Sequence, residues 1–152
     1  MLSKRPEGFR VVVESDSSAG EEVIKEILSQ MKAQKFGEDD VFAVHLGIEE
    51  AFINAVRHGN KFDPAKKVTI TYKIEPEKAE VFLADEGDGF VPDGVPDPRV
   101  GNNIYKVGGR GLFLIHSYMD KVDFNKQGNC ICMVKYNSNK KIVPKKEGRT
   151  CQ

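Results

Sequence analysis

Ile48-Glu-Glu-Ala-Phe-Ile-Asn-Ala-Val-Arg-His-Gly59 carries two patterns at once. Wound as a helix, it places Glu50, Asn54 and His58 at i, i+4 and i+8, stacked along one face. The opposite face gathers Val41, Val44, Ile48, Phe52 and Ala55 into an apolar stripe that needs a core to lie on. A carboxylate and a carboxamide one turn apart can act on one ligand. The carboxylate can take a proton, and the amide oxygen is a hard donor suited to Mg²⁺. Taken alone, the same spacing also describes a solvated polar face.

Outward from this helix, the flanking segments alternate between the two regular periods. Phe9, Val11 and Val13 alternate through Phe9–Glu14 and predict a strand. Ser18-Ala-Gly-Glu21 has the form of a capping box. It would open a helix with Val23, Ile24, Ile27, Leu28 and Met31 on one stripe. Phe36-Gly37 should end that helix, with Lys32 and Lys35 in a last turn where the dipole favours cations. Asp39 or Asp40 then caps the central helix, which should stop at Gly59-Asn60. Downstream, Lys67–Ile74 alternates Val68, Ile70, Tyr72 and Ile74, and residues 79–85 return after the turn Glu75-Pro-Glu-Lys78 as an antiparallel partner. Residues 112–119 predict a short helix, and residues 121–125 and 129–136 a closing hairpin around Lys126-Gln-Gly128. The order β-α-α-β-β-loop-α-β-β favours an α+β fold, a mainly antiparallel sheet with its helices on one face.

At 152 residues the chain is expected to be one domain, residues 1–137, followed by a polar tail at 138–152 without fixed structure. Lysine plus arginine and aspartate plus glutamate balance at 23 each, so charge points to neither nucleic acid nor a membrane surface. A transmembrane run and a signal-peptide core are both missing from the pattern, and three cysteines are too few for a disulfide framework. A cytoplasmic protein is the expectation.

Two further stretches bear on chemistry. Asp85-Glu-Gly-Asp-Gly-Phe90 follows the second strand of the hairpin. Its glycines let backbone pass close to a flat ring, and Asp85, fixed by the strand end, can accept a hydrogen bond from an exocyclic amine such as that of adenine. An Asp-Gly-rich turn is the plainer alternative. A dinucleotide fingerprint fails because Phe90-Val-Pro92 cannot open a helix. Gly108-Gly-Arg-Gly-Leu112 precedes the third helix, where exposed N–H groups and the positive dipole end suit phosphates, with Arg110 and Lys106 as added charge. A flexible connector would look the same. Seven Gly and three Pro fall between residues 86 and 111, a composition typical of functional or mobile loops. His45, His58 and His116 do not pair with cysteine at ligand spacing. Cys130 and Cys132 point to one strand face and read as core side chains, and His58 reads as a helix-end cation or a packing residue.

Taken in order, Glu50-x-x-x-Asn54, Asp85-x-Gly87-x-Gly89 and Gly109-x-Gly111 resemble the N, G1 and G2 boxes of the GHKL ATPase superfamily, which includes gyrase, Hsp90, MutL and the histidine kinases. Glu-Ala-Phe-Ile-Asn-Ala-Val-Arg-His-Gly and Gly109-Arg-Gly-Leu-Phe-Leu-Ile-His-Ser-Tyr-Met-Asp120 are similar to the serine-kinase anti-sigma factors of the RsbW and SpoIIAB type. The resemblance implies a Bergerat-type two-layer α/β sandwich, with a five-stranded sheet and three helices, that binds ATP and Mg²⁺. It implies a cytoplasmic protein-serine kinase that phosphorylates a STAS-domain anti-anti-sigma protein, sequesters a sigma factor and forms a homodimer, without direct contact to nucleic acid or membrane. Asn54 would hold Mg²⁺, Glu50 would be the general base, and Asp85 would receive the adenine amine with Gly87, Gly89 and Phe90 nearby. Residues 88–108 would form a lid, and Lys106, Gly108, Gly109, Arg110, Gly111 and Leu112 would hold phosphates. One departure is visible: where the family places threonine after a glycine on the closing hairpin, this chain has Gly128-Asn-Cys130, so Asn129 or Cys130 must serve. A nucleotide-gated switch of the same fold, without transfer, is the alternative; the retained Glu50 counts against it.

Overall fold

The computed structural model describes residues 8–89 and 109–140. Strand β1 (Phe9–Glu14) leads to helices α1 (Glu21–Ala33) and α2 (Glu38–Asn54), and α2 runs on into a π-helical turn at Ala55–Gly59. Strands β2 (Lys67–Ile74) and β3 (Lys78–Ala84), helix α3 (Gly109–Tyr118) and strands β4 (Lys121–Phe124) and β5 (Cys130–Tyr136) follow. The strands form one five-stranded sheet in the order β1-β2-β3-β5-β4, and every pairing is antiparallel. The expected α+β sandwich is therefore present among the described residues.

Strand alternation decides which side chains meet the helices. Val68, Ile70 and Tyr72 of β2, Val81 and Leu83 of β3, and Ile131 and Met133 of β5 join Ile27, Met31, Val44, Ile48, Phe52 and Ile115 in one core. Ile48 and Phe52 are almost wholly buried, and each contributes about 1.5–3 kcal/mol relative to an exposed position. Phe82, Cys130, Cys132 and Val134 cluster on the other face of the sheet, so the cysteines are buried side chains as expected. Phe9 departs from its strand's pattern. It lies exposed and stacks on Tyr72, while Val11 and Val13 pack against the core.

The helix ends differ from the sequence reading. Ser18 does not cap α1. It sits in a turn in which its N–H donates to Asp16 Oδ1, and Gly20 occupies the cap position. Lys35, not Gly37, takes the left-handed conformation that terminates α1, at φ 65°. Gly37 instead caps α2, donating its N–H to Asp40 Oδ2 across 3.2 Å. Asp40 is thus the third residue of the helix rather than its cap, and its carboxylate also accepts from the N–H (2.9 Å) and Oγ (2.7 Å) of Ser138. Asn139 Nδ2 donates to the Lys35 carbonyl at 3.0 Å, so the chain just beyond β5 is tied to the α1–α2 corner. Most of the expected tail, residues 141–152, lies outside the described residues.

Helices α2 and α3 pack closely because α2 carries a glycine at the contact. A Cβ on Gly47 would lie 3.1 Å from Met119 Sδ, and one on Gly111 would lie 2.9 Å from Glu50 Oε2. The contacts run in opposite senses along the two helices, which are therefore antiparallel. This brings the first turn of α3 over the polar face of α2. Among the described residues, no helix is long and apolar enough to cross a membrane.

Candidate functional site

Glu50 and Asn54 lie one α-turn apart near the end of α2, and Gly111 of α3 faces both. The position of a Cβ on Gly111 would be 2.9 Å from Glu50 Oε2, 3.2 Å from Asn54 Nδ2 and 3.5 Å from Asn54 Oδ1. Both side chains are half-buried, and neither engages in a hydrogen bond among the described residues. A carboxylate and a carboxamide without partners therefore face a helix start, whose unsatisfied N–H groups and positive dipole favour anions. Leu112 is different: its side chain is buried in the core, so only its backbone can serve this end. Gly109 opens α3. The side chain of Arg110, together with Phe90, Lys106, Gly108 and most of the expected lid, lies outside the described residues.

His58 does not continue the α-helical stack. The chain leaves α geometry after Asn54, and the Asn60 N–H reaches back five residues to the Ala55 carbonyl at 2.7 Å. Burial holds the His58 imidazole below its usual pKa, and the Arg57 charge adds to the effect, which favours the packing residue over the helix-end cation of the two expected roles. The extra residue in this turn brings Gly59 against the end of β3. A Cβ on Gly59 would sit 2.4 Å from Asp85 Oδ2, and one on Gly87 would sit 2.0 Å from the Gly59 carbonyl oxygen. Backbone thus lies on backbone, with the Asp85 carboxylate packed beside it.

Asp85 is fixed from several directions. Its N–H donates to the Asn129 carbonyl at 2.9 Å, and its Oδ1 accepts the Gly87 N–H at 2.8 Å. Burial pushes its pKa up to about 6, against the smaller opposing effects of the Gly87 hydrogen bond and the Lys66 charge. Gly89 follows at φ 81°, where a Cβ would strike the Gln127 carbonyl oxygen at 1.7 Å; both conformation and space require glycine there. Across the turn, Asn129 Nδ2 is 3.5 Å from the Gly87 carbonyl, while its Oδ1 accepts from Asn125 Nδ2 at 2.6 Å. Cys130 packs on the other face of the sheet with Phe82. Of the two residues at the family's threonine position, Asn129 is the one beside Asp85.

These two clusters sit at successive points along one helix, Glu50 and Asn54 on its last turns and Gly59 just past its end. The profile of the histidine kinase-like ATPase domain matches residues 13–135. The chain belongs to that family. Within it, the serine-protein kinase RsbW of Bacillus subtilis is 32% identical over 111 residues, covering 68% of this chain and 69% of its own. RsbW of Staphylococcus aureus is 31% identical over 112 residues, with 68% and 70% covered, and that of Listeria monocytogenes (serovar 1/2a) is 29% identical over 114, with 70% and 73% covered. Membership in the histidine kinase-like ATPase family implies ATP use, and relatives of this kind support kinase chemistry in general.

Mg²⁺ fits the donors present. Among the described residues, no group of three or more His, Cys, Asp or Glu could hold a metal alone. Mg²⁺ needs none, since it commonly takes one or two protein oxygens and completes its shell with phosphate oxygens and water. The Asn54 amide oxygen, without a partner among the described residues, can supply one such oxygen, and the helix start beside it favours the phosphates that would supply others. Sequence reading missed Gly59 and Asn60 as parts of the site, taking them only as a helix stop.

Proposed function

We infer that this chain is an ATP-dependent protein-serine kinase that phosphorylates a STAS-domain anti-anti-sigma protein and also sequesters a sigma factor. The observation that carries the reading is the placement of uncommitted Glu50 and Asn54 against the first turn of α3. Asp85, with Gly87 and Gly89, would receive the adenine amine, and Asn129 would line the same end. The triphosphate would then run along α2 toward the start of α3. There the helix N–H groups, with Lys106 and Arg110, would neutralise its charge. Bound Mg²⁺, held on Asn54, would supply further charge neutralisation at the phosphates. Glu50 would take the proton of the partner's serine hydroxyl as that oxygen bonds to the γ-phosphorus and ADP leaves with the bridging oxygen.

The test is incubation with γ-labelled ATP and the STAS proteins of the same genome. Label on a serine of one of them is the expected result. ATP binding without transfer to any STAS partner would favour the nucleotide-gated switch.

A further inference from the structure

We propose that Asn60 is a positioning residue that fixes the Asp85 turn to the end of α2. This rests on the reading of Asp85 as the acceptor for adenine. Asn60 is 1% exposed, and its whole carboxamide is in use. Nδ2 donates to Ser15 Oγ at 2.7 Å and to the Lys67 carbonyl at 2.9 Å, while Oδ1 accepts the Glu86 N–H at 2.8 Å. Its own N–H closes the π-helical turn on Ala55. One side chain thus joins the end of β1, the start of β2, the end of α2 and the residue after Asp85.

The residue type follows from these partners. Two donors and one acceptor at this reach require an amide: aspartate lacks the donors, serine is too short, and leucine would take the Asn60 partner from Ser15 Oγ, the Lys67 carbonyl and the Glu86 N–H. The next two residues show that the segment is held rather than relaxed. Lys61 and Phe62 both take left-handed backbone conformations, at φ 53° and 57°. Side chains rarely adopt that region twice in succession unless their surroundings enforce it. Gly59, packed directly on the Asp85 carboxylate, precedes Asn60. A shift of Asn60 would therefore move both the surface under Asp85 and the anchor of Glu86.

Ser15 provides the control, because it shares the network without touching the Asp85 turn: its Oγ donates to the Lys66 carbonyl at 2.5 Å and accepts from Asn60. Asn60→Ala and Ser15→Ala both remove a buried hydrogen bond. Asn60→Ala should weaken ATP about tenfold, raising KM for ATP with kcat retained at saturation, and should speed exchange of the Glu86 amide hydrogen at least tenfold. Ser15→Ala should lower Tm yet leave ATP affinity within about twofold and Glu86 exchange unchanged. Equal effects of the two variants on ATP affinity, or none from Asn60→Ala, would overturn the proposal. The wild-type chain gives a second test that needs no variant. The Glu86 amide should be protected although the residue is exposed, and free exchange there would also overturn it. Failure of the wild-type chain to bind ATP, with Glu86 protected, would instead overturn the adenine reading and this inference with it.

Discussion

The two ends of the site use glycine against different neighbours. At the Asp85 end, Gly87 faces the Gly59 carbonyl and Gly89 faces the Gln127 carbonyl, so backbone meets backbone. At the Glu50 end, Gly111 faces the tips of two side chains. Backbone held by secondary structure cannot give way, whereas a side-chain tip can change rotamer. One end is therefore a fixed platform, as suits recognition of a flat base. The other is a pair of adjustable polar groups, as suits charge that moves during a reaction. Their hydrogen bonds divide in the same way: the Asp85 turn is bonded to Asn129 and Asn60, while Glu50 and Asn54 keep their polar atoms uncommitted.

That contrast can be broken first at Glu50. Glu50→Gln keeps shape and polarity but removes the base, so phosphoryl transfer should fall by about 10²–10⁴-fold while ATP binding is retained. Parallel measurement of transfer and of ATP affinity checks this; transfer at the wild-type rate would remove Glu50 as base.

Asp85→Asn should act at the other end, on binding. Losing a charge-assisted hydrogen bond costs about 1.5–3 kcal/mol, or roughly ten- to a hundredfold in ATP affinity. The same change should stabilise the fold at neutral pH. The folded Asp85 carboxyl titrates at about 6 against an ordinary value of 3.8, so the folded chain holds the proton more tightly than the unfolded one. Its contribution to stability is present below about 3.8 and lost as pH rises through about 6. The Asn variant should therefore melt higher than wild type at pH 7.5, and the gap should close toward pH 4. A lower Tm at pH 7.5 would contradict the burial argument.

The glycines sharpen the comparison directly. Gly111→Ala should leave Tm unchanged or raise it, since alanine favours helix and the crowded atoms are side-chain tips. It should reduce transfer on the order of tenfold by displacing Glu50. Gly87→Ala should lower stability by about 1–3 kcal/mol through overpacking against backbone. Thermal melts and transfer assays on the pair check both. The smallest effect is expected at Asn54. Asn54→Ala should weaken Mg²⁺-ATP by roughly fivefold, about 1 kcal/mol, and leave metal-free ATP nearly unchanged. Equal losses with and without Mg²⁺ would show that Asn54 is no ligand.

Much of this arrangement was legible because it rests on periodicity. The alternation through Lys67–Ile74 and the stripe of Val44, Ile48 and Phe52 named a sheet, a helix and the faces that meet. The spacing of Glu50 and Asn54 and the glycines after Asp85 marked the groups that the proposed function assigns to the two ends of its site. What was not legible depends on tertiary contact. Ser18 and Glu21 satisfy the spacing of a capping box, yet the local turn onto Asp16 takes Ser18 instead. The π-helical turn leaves no periodic mark, because it adds a residue where Gly59 must fit against Asp85. Asn60 looked like a helix stop because its partners come from the residue after β1, from the start of β2 and from the turn that follows β3, up to 45 positions away in sequence.

One measurement tests most directly whether the two ends serve a single nucleotide: amide hydrogen exchange with adenosine, with ATP and without ligand. Adenosine should protect residues 85–89 alone, while Mg²⁺-ATP should protect those residues and also residues 109–112 at the start of α3. Protection by Mg²⁺-ATP at only one end, or at neither, would contradict a site that spans from Asp85 to Glu50.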